Sequence, residues 1–245
     1  MYSIAICAGL GVITALLCSL GFGLSVWTGA MLGMVVFVAS FFFLSRYIGN
    51  KLMAILEQAG RDLQGQRFEK AIREMKDALK YGPWQLYVSD QIHSQIGMAY
   101  YVKREFAAAF PYLEKSFFKN WAAMAMLAIS YMKRQKREKM EATFDKAVQW
   151  NGKEPLLWNL YAYCLAEECG DKAKALAVFE KGLKKLPGDT TILENMELVA
   201  AGKKMKMRSF GDQWYQFHLE SLGQLQKHQM ATMGGRSQKR TVVRR

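Results

Sequence analysis

The stretch LLWNLYAYCLAEECGDKAKALAVFEKGLKKLPG, from Leu156 to Gly188, decides the fold. Its apolar residues recur at the three- and four-residue spacing of a helix face, and nothing in it alternates as a strand would. It contains W-x-x-Y-A-x-x-L from Trp158 to Leu165 and A-x-x-x-F from Ala175 to Phe179, closed by Pro187. The stretch therefore predicts two helices joined by a turn, with a proline that cannot continue the second helix.

Three less regular copies of this pattern precede it, from Ile55 to Pro83, from Ile96 to Leu113 and from Leu127 to Ala147. One such unit cannot bury its own apolar face, so three or more must stack on one another. A small residue on each first helix lets the second helix approach. These small residues, which are 38, 31 and 34 positions apart, are Ala59, Gly97, Ala128 and Ala162.

The four units resemble the tetratricopeptide repeat, a helix–turn–helix unit of about 34 residues with a W-x₂-L-G-x₂-Y, A-x₃-F and proline pattern. The resemblance covers residues 52–188 and carries one extra residue in the turn of the last unit. It implies an all-α solenoid of about four repeats, which a helix over 189–201 would cap. An unrelated helical bundle is the alternative.

In this family the first helices of successive repeats line a concave groove that receives an extended peptide or a partner helix. The resemblance implies an apolar, methionine-bearing groove that suits a hydrophobic ligand and lacks the Lys/Asn carboxylate clamp of some members. The alternative is that the solenoid's own curvature or the C-terminal helix covers several of these side chains. The implied groove residues are Gln91, Ser94, Met98, Tyr101, Ala125, Ile129, Met132, Leu156, Asn159 and Tyr163.

The first 45 residues contain no Asp, Glu, Lys or Arg. A membrane-spanning helix needs about 20 predominantly apolar residues, and residues 2–20 and 26–44 each supply such a stretch. The glycines between them suit a reversal, so residues 1–48 predict a transmembrane helical hairpin. A single longer helix is one alternative. A cleaved signal peptide is another, although the basic start that it requires is missing.

Basic residues near the membrane ends predict the orientation. Arg46, Lys51 and Arg61 follow the second apolar stretch, whereas the hairpin turn has no charge. We therefore expect both termini and the repeats in the cytoplasm, and by analogy of architecture alone, at a bacterial inner membrane. Gly29 and Gly33 form a small-xxx-small pattern that lets two helices approach closely, with packing inside the hairpin favoured over dimerisation.

From Gly202 onward the chain, whose net charge is +13, contains ten basic residues and only two acidic ones. Contact with anionic lipid is the favoured role, since the hairpin already holds the chain at that surface. Nucleic acid or ribosome binding and a solubilising tail without a partner are the alternatives. An amphipathic helix is expected over 210–225. The residues expected to contact the anionic surface are Lys203, Lys204, Lys206, Arg208, Arg236, Lys239, Arg240, Arg244 and Arg245.

The sequence offers no convergent set of catalytic groups. Cys164 and Cys169 lack the paired spacing of a zinc site, and His93 is expected to be a packed or groove-lining residue. We therefore expect neither an enzyme nor a bound cofactor or metal. The favoured function is a membrane-anchored adaptor that recruits a protein partner, in assembly or quality control of a membrane complex. The alternative is a structural subunit that is integrated into a larger complex through its hairpin.

Overall fold

A computed structural model describes residues 1–21 and 25–220 of the chain. Within these ranges the protein is all-helical and contains no strand. The chain divides into two compact units, and the division falls after Ser130. Each unit is described by itself below.

The first unit begins with two apolar helices. Helix α1 spans Tyr2–Leu16 and continues as a π-helical turn over Leu17–Gly21, and α2 spans Val26–Gln64. Ser25 caps α2, because its hydroxyl accepts a hydrogen bond from the Thr28 N–H at 3.4 Å. Both helices are long and apolar enough to cross a membrane, by length and composition.

Small residues bring α1 and α2 into backbone contact. A Cβ atom added to Gly33 would lie 2.5 Å from the Gly11 carbonyl oxygen, and one added to Gly29 would lie 2.9 Å from the Ala15 carbonyl oxygen. Any larger side chain at these positions would push the helices apart. The structure thus places both predicted packing glycines, Gly29 and Gly33, at the α1–α2 contact.

Helix α2 does not end where its apolar part ends. Its 39 residues give a length of about 58 Å at 1.5 Å per residue, roughly twice a bilayer's hydrocarbon core. The sequence predicts a span that ends at residue 44 and repeats that begin at residue 52. The structure joins them, since no proline interrupts α2 and Leu52 and Ala59 are buried in the core with α3, Phe68–Ala78.

Eight further α-helices lie in the described ranges, joined by short turns. A 3₁₀ segment, Leu79–Trp84, precedes them, and a π-helical turn, Cys164–Glu168, extends the fifth of them. The eight are α4 Val88–Val102, α5 Phe106–Leu113, α6 Trp121–Lys133, α7 Arg137–Trp150, α8 Pro155–Tyr163, α9 Lys172–Lys185, α10 Thr190–Ala200 and α11 Asp212–Tyr215.

One turn geometry recurs along the chain. A residue with left-handed backbone angles (φ between 59° and 72°) follows α2, α4, α6, the π-helical turn after α8, and α10: Gln66, Arg104, Gln135, Gly170 and Gly202. In each turn the N–H of the next residue reaches back to a carbonyl five or six positions earlier, as Arg67 does to Asp62 and Lys203 to Leu198. Helix α10 therefore ends as the first helix of a further unit would, but no long second helix follows it within the described residues.

Close packing holds the helix pairs together. In the first unit, Gly97 on α4 lies so near α5 that an added Cβ would meet the Leu113 side chain at 2.8 Å. In the second unit, the Phe144 and Tyr161 rings stack at 4.8 Å, and the Tyr161 hydroxyl donates to Asp145 at 3.2 Å. Each fully buried side chain of this size contributes about 1.5–3 kcal/mol to stability.

Candidate partner-binding surface

The chain itself covers most of the residues that the sequence assigned to the groove. Gln91 is exposed, and Met98, Met132 and Tyr163 are half-buried. Nine consecutive residues of α6, 122–130, are buried, so every face of this helix meets protein. The six fully buried groove residues are Ser94, Tyr101, Ala125, Ile129, Leu156 and Asn159. The groove assignment stays a prediction, and its accessible part is small in this state of the chain.

In the first unit a loop between α5 and α6 covers the predicted face of α4. The Phe117 N–H donates to the Ser94 hydroxyl at 2.8 Å, and that hydroxyl donates to the Asp90 carbonyl at 2.8 Å. The Asn120 side-chain amide contacts the Met98 sulfur at 3.6 Å. Ser94 and Met98 therefore hold a loop of their own chain.

In the second unit the chain returns after α10 and lies across α8 and α10. The Lys206 N–H donates to the Asn195 side-chain oxygen at 2.7 Å, and the Asn195 amide donates to the Asn159 side-chain oxygen at 2.8 Å. Nearby, the Met205 N–H donates to the Glu167 carboxylate at 3.3 Å. Two consecutive backbone N–H groups of the returning chain are thus bound by side chains of α10 and of the π-helical turn after α8. We name residues 203–217 the docked segment.

Aromatic side chains anchor the far end of the docked segment. Trp214 is 1% exposed, and its ring meets the Tyr163 ring edge-on at 4.9 Å. The indole N–H donates to the Glu220 carboxylate at 2.9 Å, and Phe217 is fully buried. Burial, together with the negative charges of Glu168 and Glu167, raises the pKa of Tyr163 to about 12. Tyr163 therefore stays a neutral packing partner at physiological pH.

A cavity of about 560 Å³ lies beside the docked segment. Its wall includes Tyr163 and Glu167 from α8 and its extension, and Lys204, Lys206 and Arg208 from the docked segment. Trp214 and Glu220 also line it, so basic, acidic and aromatic residues surround one space in the second unit.

The basic residues of the tail are only partly described. Lys203, Lys204 and Lys206 are exposed, and Arg208 forms an ion pair with Glu220 at 3.2 Å. The other five residues expected to contact an anionic surface, Arg236, Lys239, Arg240, Arg244 and Arg245, lie outside the described residues.

The amphipathic helix expected over 210–225 also lies partly outside them, since the description ends at residue 220. Up to that point the helix is a single turn, α11. Gly211 with φ 57° precedes this turn and His218 with φ 52° follows it, and both angles break a helix. The apolar side chains of Trp214 and Phe217 are buried on this bent segment.

The thiols of the second unit have little reactivity. Cys164 is buried, and burial raises the pKa of its thiol; burial also raises that of Cys169. The thiolate is the reactive form, so both side chains are poor nucleophiles at neutral pH. Among residues 1–21 and 25–220, no group of three or more His, Cys, Asp or Glu side chains is placed to hold a metal ion. His93 packs beside the Tyr112 ring at 5.9 Å.

The sequence patterns described above do not predict two features of the structure. One is Asp62, a fully buried carboxylate on α2 that pairs with Arg67 at 2.6 Å and Lys70 at 3.1 Å; no local pattern marks it. The other is the docked segment. Its signal was present in the sequence, because Met205, Met207, Trp214 and Phe217 are apolar residues in a stretch otherwise rich in charge.

Comparison of the chain with protein-family models, with curated proteins and with solved structures finds no match. The described residues show a repeat-like, all-helical protein with two helices that are long and apolar enough to cross a membrane.

Proposed function

We propose that this protein is a membrane-anchored adaptor of the tetratricopeptide type that recruits a protein partner and performs no catalysis. The hairpin α1–α2 spans the membrane, and the repeats stand on its cytoplasmic side, at the inner membrane of a bacterium. Basic residues after the second span support this side. An even number of spans also returns the chain to the side from which it started.

The continuity of α2 carries the proposal. A single helix leaves the apolar hairpin and supplies Leu52 and Ala59 to the core of the first unit. A domain built on its own anchor in this way cannot drift from the bilayer as a domain on a flexible linker would. The position of the N-terminus supports the same arrangement, because the Tyr2 ring of α1 meets the Trp84 ring edge-on at 5.8 Å. This contact supports placing the start of α1 and the repeats on the same side.

The docked segment supports a binding role for the surface of α8 and α10 that it covers. We call this surface, which includes Tyr163, Glu167 and Asn195, the inner face. Asn195 and Glu167 accept hydrogen bonds from backbone N–H groups, which every peptide has, and Tyr163 supplies an aromatic wall. We propose that the partner presents an apolar extended segment or helix and takes the place of the docked segment. Loss of the Trp214 anchor then opens the face.

The test is a crosslinking pull-down from native membranes with three proteins: the intact chain, Trp214→Ala, and a chain whose residues 1–45 are replaced by an unrelated hairpin. The proposal predicts the same specific partner in all three, with increased recovery for Trp214→Ala. Trp150→Ala is the matched control, because Trp150 lies on α7 and is 51% exposed, and it should recover as much partner as the intact chain.

The competing function is a structural subunit that joins a complex through its hairpin. The Gly11–Gly33 contact favours this competing function, because close helix packing makes the hairpin a rigid unit. Under this function the partners vanish when the hairpin is replaced and do not respond to Trp214→Ala. That outcome would refute the adaptor.

A further inference from the structure

Aromatic and basic side chains gather where the apolar part of the hairpin ends. The contacts Gly11–Gly33 and Ala15–Gly29 fix the antiparallel register of α1 and α2, and the same register places Tyr2 at the level of Phe42. This level is three residues before Ser45, the last residue of the charge-free stretch. The Trp84 ring, which packs on Tyr2, therefore lies at the boundary between apolar and charged surface.

The 3₁₀ segment and the emerging part of α2 carry further aromatic residues just beyond this level. Lys80 lies over the Tyr81 ring at 5.4 Å. Lys51 of α2 lies over the Tyr47 ring at 4.7 Å, and Tyr81 packs against the core cluster that includes Leu52 of α2. These contacts link the loop after α3 to the emerging part of α2.

The loop has no acidic residue, and it lies with Tyr2 and Tyr47 on a partly exposed apolar surface. Leu86 is 58% exposed, as is Tyr47, and Tyr2 is 56% exposed. No Asp or Glu occurs between Asp77 and Asp90. At the far end of the loop Tyr87 adopts φ 62° and packs on Phe117 at 5.3 Å, which fixes the position of Leu86.

We propose that Tyr2, Tyr47, Tyr81, Trp84 and Leu86 form an interfacial collar that lies in the headgroup layer of the bilayer, with Lys51 and Lys80 binding lipid phosphates. Trp and Tyr concentrate at membrane interfaces because their rings are apolar and their N–H and O–H groups polar. Lysines beside them match anionic headgroups in charge. The collar would set the depth and tilt of the repeats. This inference rests on the proposed membrane anchoring.

Fluorescence quenching in nanodiscs tests the position of the collar. Full-length protein is placed in bilayers whose acyl chains carry bromine near the headgroup or near the centre. Subtracting the signal of Trp84→Phe from that of the intact protein isolates Trp84. The collar predicts that this signal is largely lost with shallow bromine and less reduced with deep bromine. Trp150→Phe, outside the collar, isolates a signal that neither lipid reduces.

Quenching of Trp27 distinguishes a wrong collar assignment from a wrong membrane-anchor assignment, and Trp27→Phe isolates its signal. Trp27 lies at the start of α2 and is 83% exposed, so a spanning hairpin exposes it to shallow bromine at the opposite interface. Quenching of Trp27 without quenching of Trp84 overturns the collar and leaves the anchor standing. Absence of quenching at both overturns the anchoring as well.

Lipid titration tests the lysines. Adding phosphatidylglycerol to the detergent-solubilised protein should raise its unfolding temperature more than phosphatidylcholine does. The double variant Lys51→Gln, Lys80→Gln should reduce that difference, and the remainder belongs to the basic residues after Gly202. The control pair Lys181→Gln, Lys184→Gln, on the exposed face of α9, should keep it. An equal loss in both pairs, or in neither, overturns phosphate binding by the collar.

Discussion

Truncation of Trp214 should release the docked segment without unfolding the repeats. The side chain is 1% exposed, and replacing a fully buried aromatic residue with alanine costs about 3–5 kcal/mol. Since 1.4 kcal/mol corresponds to a factor of ten, the ratio of undocked to docked segment should rise at least about 100-fold. Loss of the indole N–H also removes the hydrogen bond to Glu220.

Hydrogen exchange measured by mass spectrometry reads this change directly. The amides of Met205 and Lys206 are bound to Glu167 and Asn195 in the docked state. In Trp214→Ala their exchange should accelerate by about 100-fold or more, while peptides from α9 keep their protection.

Trp150→Ala controls for the loss of a tryptophan. The residue is half-exposed, and surface substitutions usually change stability by about 0.5 kcal/mol or less, so exchange near Met205 should stay nearly constant. Two results would refute the reasoning. Unchanged exchange at Met205 would mean that Trp214 does not hold the segment. Equal acceleration throughout α9 would mean that the segment is inseparable from the fold.

Three further substitutions test the packing and the charges. Gly33→Leu should lower the unfolding temperature in detergent, because its Cβ would lie 2.5 Å from a carbonyl oxygen of α1. Gly97→Ala should cost about 1–3 kcal/mol by overpacking against α5, measured by denaturant unfolding. Asp171→Asn should reduce stability at neutral pH and flatten its acid dependence. A backbone N–H bond from Lys174 and the Arg137 guanidinium lower the pKa of Asp171, so its contribution is full above the ordinary aspartate pKa and is lost as pH falls through the lowered value.

The two glycine substitutions have controls in the same chain. Added Cβ atoms at Gly9 and Gly60 would meet nothing within 4 Å. Gly9→Leu should therefore leave the hairpin intact, and Gly60→Ala should stabilise α2 by up to about 1 kcal/mol. Equal effects of Gly33→Leu and Gly9→Leu would contradict the α1–α2 contact, and a neutral Gly97→Ala would contradict the α4–α5 packing. An Asp171→Asn variant with an unchanged acid limb would contradict the assigned ion pair.

Local patterns predicted the helices well, because an apolar face at helical spacing requires no knowledge of distant contacts. The stretch from Leu156 to Gly188 forms α8 and α9 with a turn between them, as its spacing indicates. The four small residues Ala59, Gly97, Ala128 and Ala162 are all buried. The apolar character of residues 2–20 and 26–44 likewise appears as two long helices.

Local patterns did not reveal the features that depend on continuity or on distant partners. The charge at Arg46 marks a change of environment, but a helix continues across such a change where no proline interrupts it, and α2 does so. Left-handed Gln66, Arg104 and Gln135 carry no glycine signal. The covering of Ser94 by Phe117 and of Asn159 by Asn195 involves residues 23 and 36 positions apart, which no local pattern reveals.

The most direct test of the proposed adaptor function is to identify which protein contacts the inner face of α8 and α10 in living cells. A photo-crosslinking amino acid at Tyr163 serves as the probe, first in the intact chain and then in Trp214→Ala. The account predicts crosslinks to the docked segment in the intact chain, and their replacement in Trp214→Ala by crosslinks to one partner protein. A probe at Trp150 should not capture that partner. Persistent crosslinks within the chain, with no partner in either protein, would contradict the account.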